Sequence, residues 1–298
     1  MTVELEKQTA SSTTPDRLLA ALTGTFDLAV DKGRGEHTFD IDTRYGHYSP
    51  SGVRLASEDL TLRIRCGATA DVPVTCLEAR LSVNDAPTVA IAELSDWSYR
   101  FDPTMTGADA RGPLWGIPQD RFSVLTDGQG NPLPFSLRYA AYTALIDFHS
   151  INDVFGRPSP FGPGLQDLTA IGQRVVHPAS FVEAQMHFGT EVRPGSTFRN
   201  GEVTLALVGV STVEQAVCAV VEYDAGESTL KMIIDPVGGQ TSVIEGGSQY
   251  QGLMYVDLTS GWSRRATLEE YMIANVTTGE SAEPSIDYTT RHIELRML

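Results

Sequence analysis

The segment 135–155 carries the residues best suited to acid–base chemistry, and it contains no glycine or proline. Its apolar residues recur at helical spacing, so the sequence predicts one amphipathic helix. A second face of that helix carries Tyr139, Tyr142, Ile146, His149 and Asp153. A carboxylate one turn after a histidine fixes the imidazole tautomer and raises its pKa. His149 and Asp153 are therefore the candidate catalytic pair.

Two phenols precede this pair on the same face of the helix. Tyr142 is predicted to supply a catalytic hydroxyl, and Tyr139 is predicted to contact the substrate. Asp147 lies on the flank of the face and could take the role of Asp153. The alternative is an ordinary helix whose second face packs on a sheet, with the histidine and its carboxylate at the water edge.

Three residues outside the helix are further candidates for substrate binding. Trp115 stands in a loop rich in proline and glycine, where large aromatic side chains often close pockets. Glu183 and His187 share one face of a predicted strand, 181–188. They would point at a ligand if that face lined a barrel lumen, and they would be exposed if the opposite face met the core.

A small aromatic cluster, Tyr45, His47 and Tyr48, shares a short segment with Gly46 and Pro50. These neighbours predict a loop, which would be either an exposed turn or the rim of a pocket.

The sequence lacks the common signatures of cofactor and metal sites. It has no Gly-x-Gly-x-x-Gly, phosphate-binding loop, His-Glu-x-x-His, Cys-x-x-Cys or Gly-x-Ser-x-Gly pattern. We therefore expect no cofactor and no metal ion. Asp40 and Asp42 could hold a divalent ion, but a solvated strand face explains their spacing better. Three cysteines favour buried reduced thiols, although Cys66 and Cys76 could form a bridge across a hairpin.

Composition restricts the class of partner. The chain has 298 residues, with 22 Lys and Arg against 38 Asp and Glu, so its formal net charge is −16. Nucleic-acid binding relies on clustered Lys and Arg, so nucleic acid is not an expected partner. No stretch approaches the roughly 18 apolar residues that span a bilayer, and no signal peptide is recognisable at the start. The expected location is the cytoplasm, and the oligomeric state is not predicted.

Most of the chain shows the period of two that is typical of strands. Alternation recurs in the segments 36–42, 60–66, 73–83 and 87–101. In the second half, 252–277 predicts a hairpin that turns at Thr259-Ser-Gly, and Ile293, Leu295 and Met297 mark the inner face of a last strand. Short strands with regular turns are typical of antiparallel sandwiches and barrels.

The segment Leu22-Thr-Gly-Thr-Phe-Asp-Leu28 follows a predicted short helix and alternates like a strand. It resembles the helical turn and Gly-x-Trp strand that open lipocalin-like barrels, with Phe26 where the family has tryptophan. The resemblance covers seven residues, and it implies a barrel that holds its ligand in the lumen.

These observations predict a mainly β fold with two antiparallel, barrel- or sandwich-like (lipocalin-like) halves. The predicted divisions are a flexible terminus 1–13, a β-rich domain 14–134, a central helix with a Pro/Gly-rich crossover 135–170, and a second β-rich domain 171–298.

The predicted function is binding of an apolar small molecule in a β-barrel-type pocket. We favour an enzyme, a cofactor-independent cyclase, isomerase or lyase that uses acid–base side chains. The alternatives are a carrier without catalysis and an acidic protein-interaction module. A lumen that contains His149 or His187 would favour the enzyme, and an entirely apolar lumen would favour the carrier. A filled core without a pocket would favour the protein-interaction module.

Overall fold

The alternating apolar residues of this chain pair into one antiparallel sheet. The computed structural model describes residues 18, 22, 24–28, 35–67, 72–102, 104–105, 114–155, 162–179, 183–186, 188, 191–235, 239–279 and 283–298. The strands in this part of the chain are β1 (His37–Tyr48), β2 (Arg54–Cys66), β3 (Val74–Val83), β4 (Val89–Ala90), β5 (Trp97–Tyr99), β6 (Arg174–His177), β7 (Ala184–Gln185), β8 (Thr197–Arg199), β9 (Val203–Val213), β10 (Ala216–Ala225), β11 (Ser228–Ile234), β12 (Ser242–Asp257), β13 (Ser263–Thr278) and β14 (Ser285–Met297).

One long helix interrupts the strands. This helix, α1, spans Phe135–His149 and continues as a π-helical turn, Ser150–Val154. Short 3₁₀ helices lie at Ala92–Leu94, Gln119–Val124 and Leu165–Asp167. No helix in the described ranges is both long enough and apolar enough to cross a bilayer.

The strand order is β4-β3-β2-β1-β14-β13-β12-β10-β9-β6, and β11, β8, β7 and β5 attach beside this path. The sheet branches at β12, where the first half pairs with β11 and the second half pairs with β10. The path does not return to its first strand, so the described sheet is not a closed barrel.

The prediction of a mainly β, antiparallel fold with one central helix is confirmed. The two separate halves and the lipocalin-like barrel are not confirmed, because β1 pairs with β14 over ten residues and joins both ends of the chain in one sheet. The described residues of the segment that carried the resemblance, 22 and 24–28, form no strand. Phe26 and Leu28 are nevertheless buried, and the Phe26 amide donates to the Thr169 carbonyl oxygen at 2.9 Å. The predicted domain boundaries stay predictions.

Alternation along the strands separates a core face from a solvated face. In β2, the residues buried on one face are Leu60, Leu62, Ile64 and Cys66. The opposite faces of β1, β2 and β14 carry ion pairs, among them Asp40 with Arg63 at 2.8 Å and Asp42 with Arg296 at 2.5 Å. These cross-strand pairs explain the spacing of the two aspartates without a metal ion.

Two expectations about local structure are wrong. The segment 87–101 is not one strand, because Asp96 adopts φ 56° between the 3₁₀ helix and β5. Tyr45, His47 and Tyr48 belong to β1 and not to a loop. Gly46 is the source of that error, since it pairs regularly with Ser57 and Thr290 on the flanking strands.

The hairpin 252–277 and the last strand are confirmed as β12–β13 and β14. Cys66, Cys76 and Cys218 are buried and form no disulfide, which agrees with the prediction of reduced thiols. Helix α1 docks on the sheet with its predicted apolar face, and the Phe148 ring lies 5.2 Å from the ring of Phe39 on β1.

Glycine at position 252 allows β10, β12 and β13 to approach closely. A Cβ atom on Gly252 would lie 1.9 Å from the Thr267 carbonyl oxygen and 2.7 Å from the Tyr223 ring. We expect Gly252→Ala to lower the free energy of unfolding by about 2 kcal/mol or more, because such overpacking forces the strands apart. The matched control is Gly209→Ala in β9, where a Cβ atom meets nothing within 4 Å. Urea unfolding measures both, and equal stabilities would contradict this account of the packing.

Candidate functional site

A cavity of about 590 Å³ lies between α1 and the sheet. Among the described residues, nine aromatic side chains line it, five of them tyrosines: Tyr45, Tyr139, Tyr142, Tyr223 and Tyr250. The volume is within the range of sites for drug-sized molecules, and a lining of aliphatic and aromatic side chains with a few polar groups is typical of such sites. The core is therefore not filled on this side of the helix.

The polar groups of the cavity come from the inner faces of the central strands. Because side chains alternate, every second residue of a strand points inward. This places Tyr45 of β1, Glu270 of β13 and Arg291 of β14 side by side, since Arg291 is the direct partner of both other residues. The Arg291 guanidinium carbon lies 5.8 Å from the centre of the Tyr45 ring.

Arg291 is buried and is held by two carboxylates. Its Nη1 donates to Asp147 Oδ2 at 2.7 Å and its Nη2 to Asp147 Oδ1 at 3.4 Å. Its Nε lies 2.6 Å from Glu270 Oε2. Asp147 belongs to α1, so this cluster connects the helix to β13 and β14 across one side of the cavity.

The pKa of Asp147 is raised to about 6. Burial is the largest cause, because it disfavours the charged carboxylate, and Glu270 adds to the effect. Arg291 opposes both and keeps the value near neutrality. A carboxyl group with this pKa can accept or donate a proton at physiological pH, which is what a general acid or base requires.

A second polar group lies near the start of α1. The Ser136 hydroxyl donates to Glu58 at 3.0 Å, and His47 Nε2 lies 3.8 Å from the same carboxylate. The hydrogen-bonding contact with Glu58 raises the pKa of His47, and Asp287 contributes in the same direction. All four residues line the cavity.

Of the site residues predicted from the sequence, Tyr139, Tyr142 and Trp115 line this cavity. Glu183 is exposed and is not among the residues that line it. His187 lies outside the described residues.

His149 and Asp153 are also not among the described residues that line the cavity. His149 lies at the edge of the helix face that Tyr142 and Ser150 present to the cavity, and its side chain is held by Tyr99 and Phe101 outside the cavity.

His149 instead forms a buried cluster with Tyr99 and Asp153. Its Nδ1 lies 2.7 Å from Asp153 Oδ2 and its Nε2 lies 2.6 Å from the Tyr99 hydroxyl. Burial raises the pKa of Tyr99 well above its usual value, so the phenol keeps its proton and donates to Nε2. The Nδ1 proton then points to Asp153. The Phe101 ring stacks on the imidazole at 4.2 Å, and His149 has no exposed surface.

The sequence analysis missed Arg291, Glu270 and the inward orientation of Tyr45 and His47. A signal for the first two was present, because both occupy the apolar phase of their strands. Arg291 is two residues before Ile293, and Glu270 lies between Leu268 and Met272. A charged residue in an apolar phase indicates either a buried ion pair or a site.

No family model matches the chain, and no curated protein matches its sequence. Among solved structures, a loop L8 deletion mutant of OmpT, an outer membrane protein of Vibrio cholerae, is 9% identical over 88% of this chain and 99% of its own, with a TM-score of 0.18. An outer membrane channel from Pseudomonas putida F1 is 11% identical over 89% of this chain and 96% of its own, with a TM-score of 0.15. An anion-selective porin from Comamonas acidovorans is 12% identical over 88% and 98%, with a TM-score of 0.14. TM-scores this low do not show a shared fold, so the site's own geometry carries the functional argument.

We expect His149→Ala to lower the free energy of unfolding by about 2–4 kcal/mol. The substitution leaves a void beneath Phe101 and removes the hydrogen-bond partner of two buried groups. His292→Ala is the control, because His292 lies half exposed on the other face of the sheet. Urea unfolding compares the two variants, and a His149→Ala protein as stable as the control would refute a structural role.

The raised pKa of Asp147 predicts a specific pH dependence of stability. As pH rises, the unfolded chain loses the Asp147 proton near its ordinary pKa of about 4, whereas the folded protein holds it until about pH 6. The contribution of this group to the free energy of unfolding therefore falls as pH rises from about 4 to 6. Asp147→Asn lacks the titration. Its stability relative to the wild type should therefore increase by up to about 3 kcal/mol between pH 4 and pH 7.

Urea unfolding of both proteins at several pH values measures this difference. Other carboxyl groups titrate in both proteins and cancel in the comparison. A difference that does not change with pH would show that Asp147 titrates normally.

Proposed function

We propose that the protein binds an apolar small molecule in the cavity beneath α1 and transforms it in a cofactor-independent acid–base step. The observation that carries the proposal is a mainly apolar cavity of about 590 Å³ with a carboxyl group of pKa about 6 in its wall. Isomerisation, cyclisation and elimination are reactions that such a group can promote without a cofactor.

Asp147 takes the acid–base role in this proposal, in place of Asp153. It lines the cavity, and the bond from Arg291 fixes the orientation of its carboxylate. As a base, it removes a proton from a carbon of the bound molecule. As an acid, it returns that proton to another carbon or to a leaving group, so the enzyme ends each turnover unchanged.

Tyr139 is the candidate for a hydroxyl donor beside Asp147. Burial raises its pKa, so the phenol keeps its proton, and both Glu270 and Arg291 act on it electrostatically from the same part of the cavity. Within the described residues, no side chain forms a hydrogen bond with its hydroxyl. The proton is thus available to an oxygen of the ligand on which negative charge develops during proton abstraction.

A pair of matched substitutions tests binding in the cavity. Ile146 lines the cavity, whereas Ile273 is exposed on β13. Ile146→Trp should reduce the affinity for N-phenyl-1-naphthylamine, a neutral fluorescent probe, by about tenfold or more, because the indole occupies the space of the probe. Ile273→Trp should leave the affinity unchanged. Equal affinities in the two variants would show that the probe binds elsewhere.

Catalysis is tested by incubating a metabolite extract with the wild type or with Asp147→Asn and comparing the products by mass spectrometry. Isomerisation and cyclisation conserve mass, and elimination loses a small molecule such as water. A conversion that depends on Asp147, in a variant that still binds the probe, supports the enzyme. Probe binding in both proteins with no conversion in either would favour the carrier.

A further inference from the structure

The cavity has a strong excess of negative groups. Among the described residues that line it, four carry carboxyl groups (Glu58, Asp147, Glu270 and Asp287) and one carries a guanidinium, Arg291. The cavity is therefore acidic as well as aromatic.

Arg291 is not available to attract an anionic ligand. All three of its nitrogens face Asp147 or Glu270, at 2.6–3.4 Å. Two carboxylates outnumber one guanidinium, so the cluster carries a net negative charge when both are ionised. A ligand carboxylate would meet repulsion here and would find no free donor on the guanidinium.

The other two carboxyl groups both act on His47: Glu58, near the start of α1, lies 3.8 Å from its Nε2, and Asp287 acts on it electrostatically. Glu58 has partial compensation from His47 and from the Ser136 hydroxyl. Asp287 is half buried, and none of the residues in the described ranges forms a hydrogen bond or an ion pair with its carboxylate. His47 carries at most one positive charge against these two carboxylates.

The aromatic rings strengthen the preference for positive charge. The face of an aromatic ring attracts a cation, and aromatic walls are the usual means of binding quaternary ammonium groups. Burial raises the pKa of Tyr45, and it raises that of Tyr250 to about 12, so these phenols remain neutral rings and do not act as anions. Tyr45 already shows this interaction, since the Arg291 guanidinium lies over its ring.

We infer that the ligand is an apolar cation, with a protonated amine or quaternary ammonium group placed at Asp287 and Glu58 and its apolar part against the tyrosine rings. This inference rests on the proposed binding in the cavity and specifies the chemistry of the ligand. An ammonium group there gives the half-buried Asp287 carboxylate an opposite charge, and ion pairing at a half-buried position is stronger than at the fully exposed surface.

The experiment uses three fluorescent probes that share a naphthylbutyl tail and carry an ammonium, a hydroxyl or a carboxylate head. The ammonium probe should bind the wild type about tenfold more tightly than the hydroxyl probe, and the carboxylate probe should bind most weakly. Asp287→Asn should weaken binding of the ammonium probe about fivefold and change that of the hydroxyl probe less than twofold. Asp224→Asn is the control, because it removes the same charge from an exposed position of β10.

Two results would overturn the inference. One is hydroxyl or carboxylate binding as tight as ammonium binding, and the other is an equal effect of Asp287→Asn and Asp224→Asn on the ammonium probe. In both cases binding of the hydroxyl probe and of N-phenyl-1-naphthylamine would leave the proposed cavity function standing. Failure of every probe to bind, including N-phenyl-1-naphthylamine, would reject the cavity as a binding site and the cationic ligand with it.

Discussion

A guanidinium that is buried away from water needs negatively charged partners close to it. Because Arg291 is buried, this requirement fixes the relative positions of three elements. Its nitrogens face Asp147 on α1 and Glu270 on β13, and its own strand is β14. Truncating either carboxylate would leave a buried charge with less compensation, which is costlier than losing a surface ion pair. The helix is thus fixed to the sheet by charge on one side and by Phe148 against Phe39 on the other.

These two attachments explain why a cavity persists beside a well-packed core. An apolar helix face alone would settle onto the sheet and exclude the empty space, since voids forfeit dispersion contacts. The Arg291 cluster instead keeps polar groups between the helix and the strands. Burial of this cluster raises the pKa of Asp147 against the opposing effect of Arg291, so the group that supports the helix is also the one suited to proton transfer.

Local periodicity of apolar residues predicts most of the fold from the sequence. The β2 face from Leu60 to Cys66 and the docking face of α1 were readable because their apolar residues repeat within a few positions. The direction of the His149 side chain could not be predicted, because His149 lies at the edge of a broad helix face. That edge contacts Tyr99 and Phe101, which lie about fifty positions away along the chain. The Arg291 cluster depends on pairing between strands, and a residue's own segment does not specify its partner strand. For Glu183 the alternation of the segment was visible in the sequence, but the sequence did not show which of its two faces is exposed to water.

The pairing of β1 with β14 has a consequence for how the molecule is made. The two strands are about 250 residues apart along the chain, and β1 supplies Tyr45 to the wall that β14 completes with Arg291. During synthesis, β1 can find β2 early, but its other edge stays unpaired until residues 285–297 leave the ribosome. Contacts of such high sequence separation form slowly. The cavity therefore cannot be completed before β14 has been synthesised, and β1 keeps an open strand edge until then.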